Sequence, residues 1–325
     1  MPESIAITGA AGFIGSHLVD YFLAQGRMVT GLDNFSRGTR SNLASALQNS
    51  RFRLLEVDLA DPLAPAACDL DGVAELWHLA ANSDIPAATA DAAIDHKDTF
   101  LTTCHTLELV KRFGIKRLCF ASTSAVYGDL PQTLDEDSGP LWPISNYGAM
   151  KLAAEAAISA AVESAGFQTL IFRFPNVVGD RATHGILFDL IGRIVIGRKA
   201  RGGIADLEVL GDGSQRKPYL HVSDLLAAML HISAHASGPR NCYLIGPQDN
   251  GITVREIVAA ILAECAPGLP ARYTGGARGW VGDVPQFQYS VAKLAALGWS
   301  ASMSSGQAIE RAVRELYAEL KQPCS

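Results

Sequence analysis

Tyr147-Gly148-Ala149-Met150-Lys151 sets a phenol and an ammonium four residues apart within 146–165, an alanine-rich run that reads as a helix. At that spacing both side chains leave a helix on one face, so the ammonium can sit beside the phenol. A free tyrosine, with a pKa of about 10, is a poor base at neutral pH. A neighbouring positive charge favours the phenolate and lowers that pKa, which suits the residue to take a proton from a hydroxyl. The pattern is short, and a Tyr–Lys pair on a solvated face satisfies it equally. A second group of hydroxyls, Ser122, Thr123 and Ser124 in the segment Phe120 to Gly128, follows an apolar run at 117–122. Hydroxyls at the C-terminal edge of a strand can orient a substrate oxygen as its proton leaves. Ser and Thr after a strand are also ordinary turn formers.

The elements that must position these groups begin at residue 4. The apolar run Ser4-Ile5-Ala6-Ile7-Thr8 leads into Gly9-Ala10-Ala11-Gly12-Phe13-Ile14-Gly15 and then a helix-like stretch, 15–25. Strand, glycine turn and helix in that order suit a dinucleotide pyrophosphate. A turn without side chains lets phosphate reach the backbone, and the helix N-terminus offers free N–H groups and a positive dipole end. The spacing is GxxGxxG rather than GxGxxG, so the position between strand and helix carries the specificity. Asp33 ends the next apolar run, 28–32, where an acid accepts hydrogen bonds from the adenosine ribose hydroxyls and repels a 2′-phosphate, favouring NAD over NADP. Asp58, just past the run 52–57, is placed to reach the adenine amino group. Behind such a loop the Tyr147–Lys151 pair acquires a partner, because a bound nicotinium ring also favours phenolate.

Further apolar runs at 74–79, 117–122 and 168–173 and helix-like runs at 98–113 and 146–165 continue the alternation. Continuous apolar strands separated by helices predict an α/β fold with a doubly wound parallel sheet of Rossmann type. After Arg173 the pattern is punctuated by Gly179, Gly185, Gly202-Gly203, Gly211, Gly213 and Pro218, which predicts a smaller C-terminal α/β lobe. The expected division is a nucleotide-binding domain, 1–174, with 217–238 returning to it, and a substrate lobe from 175–216 and 239–325.

With 325 residues, 48% apolar and 18% charged, the chain can bury a large core. A net charge of −6 argues against nucleic-acid or anionic-membrane binding and means that an anionic substrate needs local arginines, for which Arg216 and Arg278 are candidates. The six cysteines show no CxxC or Cys/His ligand spacing, which predicts a reducing, cytoplasmic setting and no metal. No apolar run reaches membrane-spanning length.

Together these segments resemble the extended short-chain dehydrogenase/reductases, specifically their nucleotide-sugar epimerase and dehydratase branch, over nearly the whole chain. His78-Leu79-Ala80-Ala81-Asn82 is similar to the family segment lying along the cofactor. Arg173-Phe174-Pro175-Asn176-Val177-Val178-Gly179 is similar to its R-x-x-N-V-x-G segment, whose Asn contacts the substrate diphosphate. Leu207 to Asp224 resembles the stretch that cradles the nucleotide base and supplies a phosphate-binding arginine. Gly276 to Pro285 resembles the late segment that closes over the diphosphate, with Trp280 at one alternative arginine position.

The resemblance implies an NAD site of Gly9, Gly12, Phe13, Ile14, Gly15, Asp33, Asn34, Asp58, Leu59, Leu79, Ala80, Ala81, Ser122, Tyr147, Lys151 and Phe174. It implies a substrate site of Thr123, Ser124, Tyr147, Asn176, Leu207, Val209, Arg216, Tyr219, Arg278 and Asp283, with Tyr147, Lys151, Thr123 and Ser124 catalytic. Two departures stand out. The asparagine that many members carry early in the helix near Asp98-Thr99 is absent, which leaves the backbone distortion attributed to it without its residue. Thr123-Ser124-Ala125 also lacks the Asp-Glu pair of sugar 4,6-dehydratases and the glutamate that decarboxylases place at Ala125.

The expectation is therefore a UDP-hexose 4-epimerase of the UDP-glucose/UDP-galactose type with tightly held NAD. A nucleotide-sugar 4-ketoreductase, or an epimerase of N-acetylated, uronic or heptose sugars, is the alternative. A non-enzymatic nucleotide sensor would be expected to lack the Tyr/Lys pair. The resemblance also implies a homodimer, joined through 98–113 and the alanine-rich 146–165.

Overall fold

The computed structural model describes residues 4–130, 132–199, 203–276 and 288–321. The chain divides into two compact units, one of Met1–Gly128, Glu136–Phe174 and Met229–Leu244, the other of Asp129–Asp135, Pro175–Ala228 and Ile245–Ser325.

The first unit is built on a parallel sheet. Its strands are β1 (Ser4–Thr8), β2 (Val29–Asp33), β3 (Phe52–Glu56), β4 (Val73–His78), β5 (Arg117–Ala121) and β6 (Gln168–Arg173), with Arg240–Leu244 as the seventh. Their spatial order is Arg240–Leu244, β6, β5, β4, β1, β2, β3. The order reverses between β1 and β4, and sheets of this kind bind ligands at such a switch point, beyond the strands' C-terminal ends. The apolar runs form the strands because both sheet faces are covered: Ile5, Ala6, Ile7, Leu76, Trp77, Leu118 and Phe120 are fully buried. Strand Arg240–Leu244 pairs in parallel register with β6 from Arg240↔Thr169 to Leu244↔Arg173. The return to the first unit therefore runs from Met229 to Leu244 where 217–238 was expected, and residues 217–228 belong to the second unit.

Helix α1 (Phe13–Ala24) follows the glycine turn without a side-chain N-cap. The Tyr147 helix, Asn146–Ala165, is capped by the Ser145 hydroxyl accepting from Gly148 N and ends at Gly166 in a left-handed conformation. Its long alanine run lets it pack closely, with Ala154, Ile158 and Val162 in the core beside Leu109, Val110 and Leu118.

The helix expected at 98–113 is interrupted. Residues His96–Leu101 form a π-helical turn, and a regular helix follows over Thr102–Arg112. The distortion is present without an asparagine. Threonine hydroxyls bind the carbonyls that a widened turn leaves poorly served: Thr102 Oγ1 donates to the carbonyls of Asp98 and Thr99 (both 3.0 Å), Thr103 Oγ1 to Thr99 (2.8 Å) and Thr106 Oγ1 to Thr102 (2.7 Å).

In the second unit, Asn176–Val178 pairs in parallel with Tyr219–His221, and Leu207–Val209 with Ala271–Tyr273. Helices Val254–Cys265 and Ser305–Leu320 each begin with a capping box, Thr253/Glu256 and Ser304/Gln307. Their buried faces, including Ile257, Ile261, Ile309, Val313 and Leu316, form its core.

Candidate active site

The turn after β1 is shaped by contacts that allow no side chain. Gly9 is left-handed at φ +68°, and a Cβ there would lie 2.9 Å from Ala80 N. At Gly15 a Cβ would lie 2.0 Å from the Gly9 carbonyl oxygen, so α1 reaches β1 only because residue 15 is glycine. Thr8, the last residue of β1, ties the turn across the switch point: its Oγ1 accepts from Leu79 N and Ala80 N at 3.2 Å. Asp33 closes β2 and is nearly buried at 8% exposure. Its Oδ2 accepts from Ala11 N (2.9 Å) and its Oδ1 from Phe35 N (2.8 Å), so the carboxylate is locked onto the glycine turn. Burial pushes its pKa up against those two hydrogen bonds. Each oxygen keeps a lone pair for a ribose hydroxyl.

Other expected nucleotide contacts lie around the same edge. Asp58 accepts from Ala60 N and lies 3.5 Å from Lys97 Nζ, Leu59 is buried, and Asn34 Oδ1 accepts from Ser36 N. This turn, free of Cβ at Gly9, Gly12 and Gly15 and with a fixed carboxylate at the next strand end, fits an adenine dinucleotide lacking a 2′-phosphate.

Beyond β5, Thr123, Tyr147 and Lys151 are brought together. The Thr123 hydroxyl lies near enough to the Tyr147 phenol to lower its pKa, and it accepts from Ala125 N at 3.1 Å. Lys151 is 2% exposed; its Nζ donates to the Ala121 carbonyl at 2.6 Å and lies 5.9 Å from the Tyr147 ring centroid. Burial dominates both titrations. Tyr147 is pushed up to about 12, with Thr123 lowering it and Asp95 raising it, while Lys151 is brought down to about 7 against the pull of Glu155 and Asp95. In the free chain, then, the ammonium does not outweigh burial at the phenol, and the sequence-based expectation of a lowered tyrosine pKa does not hold for this state.

Beneath the pair lies a buried network. Arg173 grips Glu155 in a fork, Nε to Oε1 at 3.0 Å and Nη2 to Oε2 at 2.6 Å, and also donates to the Tyr127 hydroxyl at 3.1 Å. Ser122 Oγ donates to Glu155 Oε1, so this hydroxyl is turned into the network. Glu155 stands one helical turn beyond Lys151, and the Tyr-x3-Lys-x3-Glu spacing was the sequence signal for it. A second buried set runs between β1, β4 and the π turn. Thr8 donates to His78 Nδ1 (2.7 Å), and His78 Nε2–H donates to Thr103 Oγ1 (3.0 Å), an assignment fixed by Thr103 donating onward to the Thr99 carbonyl. Burial lowers His78 to about 3, so it is neutral.

In the second unit the expected substrate residues are placed as follows. Leu207 and Val209 bury their side chains in that unit's core, and Tyr219 is buried with its N–H donating to Ser305 Oγ. Asn176 is exposed, its Nδ2 3.5 Å from the Pro218 carbonyl. Arg216 is engaged by its own unit, donating to the Gly251 carbonyl at 2.7 Å and lying 3.6 Å from Glu256. Arg278 and Asp283 lie outside the described residues.

A parallel sheet with a glycine turn at its switch point, and a half-buried tyrosine beside a buried lysine beyond β5, defines a dinucleotide-dependent enzyme. The chain belongs to the NAD dependent epimerase/dehydratase family, whose model matches residues 5–246. Among curated relatives, a UDP-glucuronic acid decarboxylase 1 of Danio rerio is 32% identical over 77% of this chain, which spans 58% of that protein's length. A UDP-glucose 4-epimerase of Halalkalibacterium halodurans is 28% identical over 82% of both chains. A crystal structure of a UDP-galactose 4-epimerase superposes with a TM-score of 0.83 at 31% identity, covering 98% of this chain and 99% of the other.

Proposed function

We propose that this chain is a UDP-hexose 4-epimerase of the UDP-glucose/UDP-galactose type. The observation that carries the reading is the grouping of the Thr123 hydroxyl, near enough to the Tyr147 phenol to lower its pKa, with a buried Lys151 whose Nζ lies 5.9 Å from the Tyr147 ring centroid, and with no acid at 123–125. Residues Gly9, Gly12, Gly15 and Asp33 would hold NAD. When bound, it supplies the hydride acceptor and donor at the sugar carbon and a positive ring that favours phenolate.

Tyr147 takes the proton from the C4 hydroxyl and later returns it. Thr123 orients that oxygen, with Ser124 beside it. Lys151 adds positive charge below the phenol. Expulsion of a C6 hydroxyl needs an extra acid and base, and Thr123-Ser124-Ala125 provides neither. A decarboxylase, the activity of the Danio rerio relative, would on the family pattern want a carboxylate where Ala125 stands. In the same reading the diphosphate is held by the second unit, through Asn176, Arg216 and Arg278, and the chain pairs as a homodimer through its helices at 102–112 and 146–165.

The test is to incubate the purified protein with UDP-galactose, without added cofactor, and follow UDP-glucose by NMR. Conversion is the expected result and establishes resident NAD as well. No conversion, even with NAD added, overturns the galactose reading. Consumption of NAD(P)H on a 4-keto sugar would then identify a net reductase.

A further inference from the structure

Arg37 and Asp84 form an ion pair at 2.7 Å, one in the loop after β2 and the other in the segment after β4. In the sheet β1 separates those two strands, so the pair reaches across the end of β1, where the glycine turn begins. Both segments also lean on that turn. On the β2 side, the Ala11 carbonyl accepts from Thr39 N at 3.2 Å and from Asn42 Nδ2 at 2.9 Å, and a Cβ at Gly38 would lie 2.6 Å from Ala11. On the β4 side, Ala80 N abuts Gly9, and Leu79 N donates to the Thr8 carbonyl at 3.2 Å. The contacts close a ring that runs from the turn through Gly38 to Arg37, across to Asp84, and back through Ala80 to Gly9.

The two halves of the pair are held differently. Asp84 Oδ1 accepts from Ala87 N at 3.0 Å and so caps the short helix Ile85–Ala90, while Oδ2 takes Arg37. Asp84 N donates to Asn82 Oδ1 at 2.9 Å, and Asn82 Nδ2 donates both to the Asp84 carbonyl and to the buried Asp95. The same short helix is tied to the helix of Tyr147, because Asn146 Nδ2 donates to the Ala88 carbonyl at 2.9 Å. Arg37, by contrast, stands on a loop with Ser36 and Thr39 exposed on either side. With side-chain exposures of 44% and 34%, the pair adds little to folding stability, and its position calls for another reason.

We propose that Arg37–Asp84 is a strap across the dinucleotide site, closed in the free chain, which parts each time NAD enters or leaves. A dinucleotide running from Asp33 past the start of α1 toward Tyr147 crosses the ends of β2, β1 and β4, the span that the pair bridges, and so lies inside the ring. Asp84 is the fixed post and Arg37 the arm that swings. Because the pair is already made without cofactor, it slows entry and release alike and leaves the equilibrium affinity unchanged. The strap depends on the dinucleotide site and not on the sugar, so a failed epimerase assay leaves it standing.

The test uses the purified holoprotein. Exchange of bound NAD for excess labelled NAD gives the release rate, and equilibrium dialysis gives the affinity. Arg37→Gln and Asp84→Asn, the latter keeping a capping side chain, are each expected to release NAD about two- to fivefold faster, the range that loss of an exposed ion pair allows, with the affinity unchanged. The double variant releases NAD no faster than either single one, and Arg37→Lys, which can still pair with Asp84, stays near the parent. Added salt narrows the gap between parent and variants. Release at the parent rate in both single variants overturns the proposal. So does a double variant in which the two effects multiply, since the residues would then act separately. Weakened affinity in Arg37→Gln alone also overturns it and would make Arg37 a direct phosphate contact.

Discussion

Tyr147 reaches its position through two local rules, the four-residue spacing to Lys151 and the Ser145 cap that starts the helix one residue before it. The spacing was legible in the chain, as was Thr123, because hydroxyls directly after an apolar strand fall at the ligand edge of a parallel sheet; the Ser145 cap comes from the structure. Asp95 was not legible. Its hydrogen-bond partner Asn82 lies just past β4, and only tertiary folding brings the two together. The consequence of burial at Tyr147, pushed up to about 12, is that substitution removes a proton acceptor without disturbing a charge. Tyr147→Phe is expected to reduce turnover by about 10³-fold or more while leaving NAD binding unchanged, read by single-turnover assay and calorimetry. Retained activity would remove the assigned base.

At the scale of elements, β1 to β6 and the Tyr147 helix lie within a residue or two of the apolar runs that predicted them, since strands covered on both faces leave an unbroken hydrophobic signature. The π turn at His96–Leu101 left no such mark, because threonines spaced to serve helix carbonyls look like ordinary helix surface. The junction of α1 with β1 offers a sharp test. Gly15→Ala would set a methyl 2.0 Å from the Gly9 carbonyl, so the helix must withdraw from the phosphate turn. The expected outcome is loss of NAD binding with destabilisation of about 1–3 kcal/mol, measured by nucleotide titration and denaturant unfolding. Glu155→Ala tests the network beneath the site. It strands the Arg173 guanidinium at 8% side-chain exposure, and a loss of about 3–5 kcal/mol in unfolding free energy is expected.

Across the whole molecule, a fully buried neutral histidine couples folding to acidity. His78 is held near 3 in the folded chain, against about 6.5 when unfolded. Its folded-state pKa is depressed, so the unfolded chain binds the extra proton. The stability this histidine confers is complete above pH 6.5 and is lost as pH falls toward 3, at about 1.4 kcal/mol per pH unit. Unfolding experiments between pH 6 and 4 should show this slope in the parent chain and a shallower one in His78→Gln. An equal slope in both would assign acid sensitivity to other groups. The division of the chain was harder to read from sequence, because Arg240–Leu244 follows a long excursion through the second unit before it rejoins the sheet beside β6. The π turn carries a further consequence, one of helical phase. A π turn accommodates about one residue more than an α turn, and each residue of α-helix corresponds to about 100° of rotation. Deleting a single residue from 96–101 would let an unbroken α-helix form with the residues on either side, Asp95 included, kept near their present phase, whereas a deletion within 102–112 would swing everything before it by about 100°. The widened turn is therefore the place where this helix can lose a residue without turning its two ends against each other.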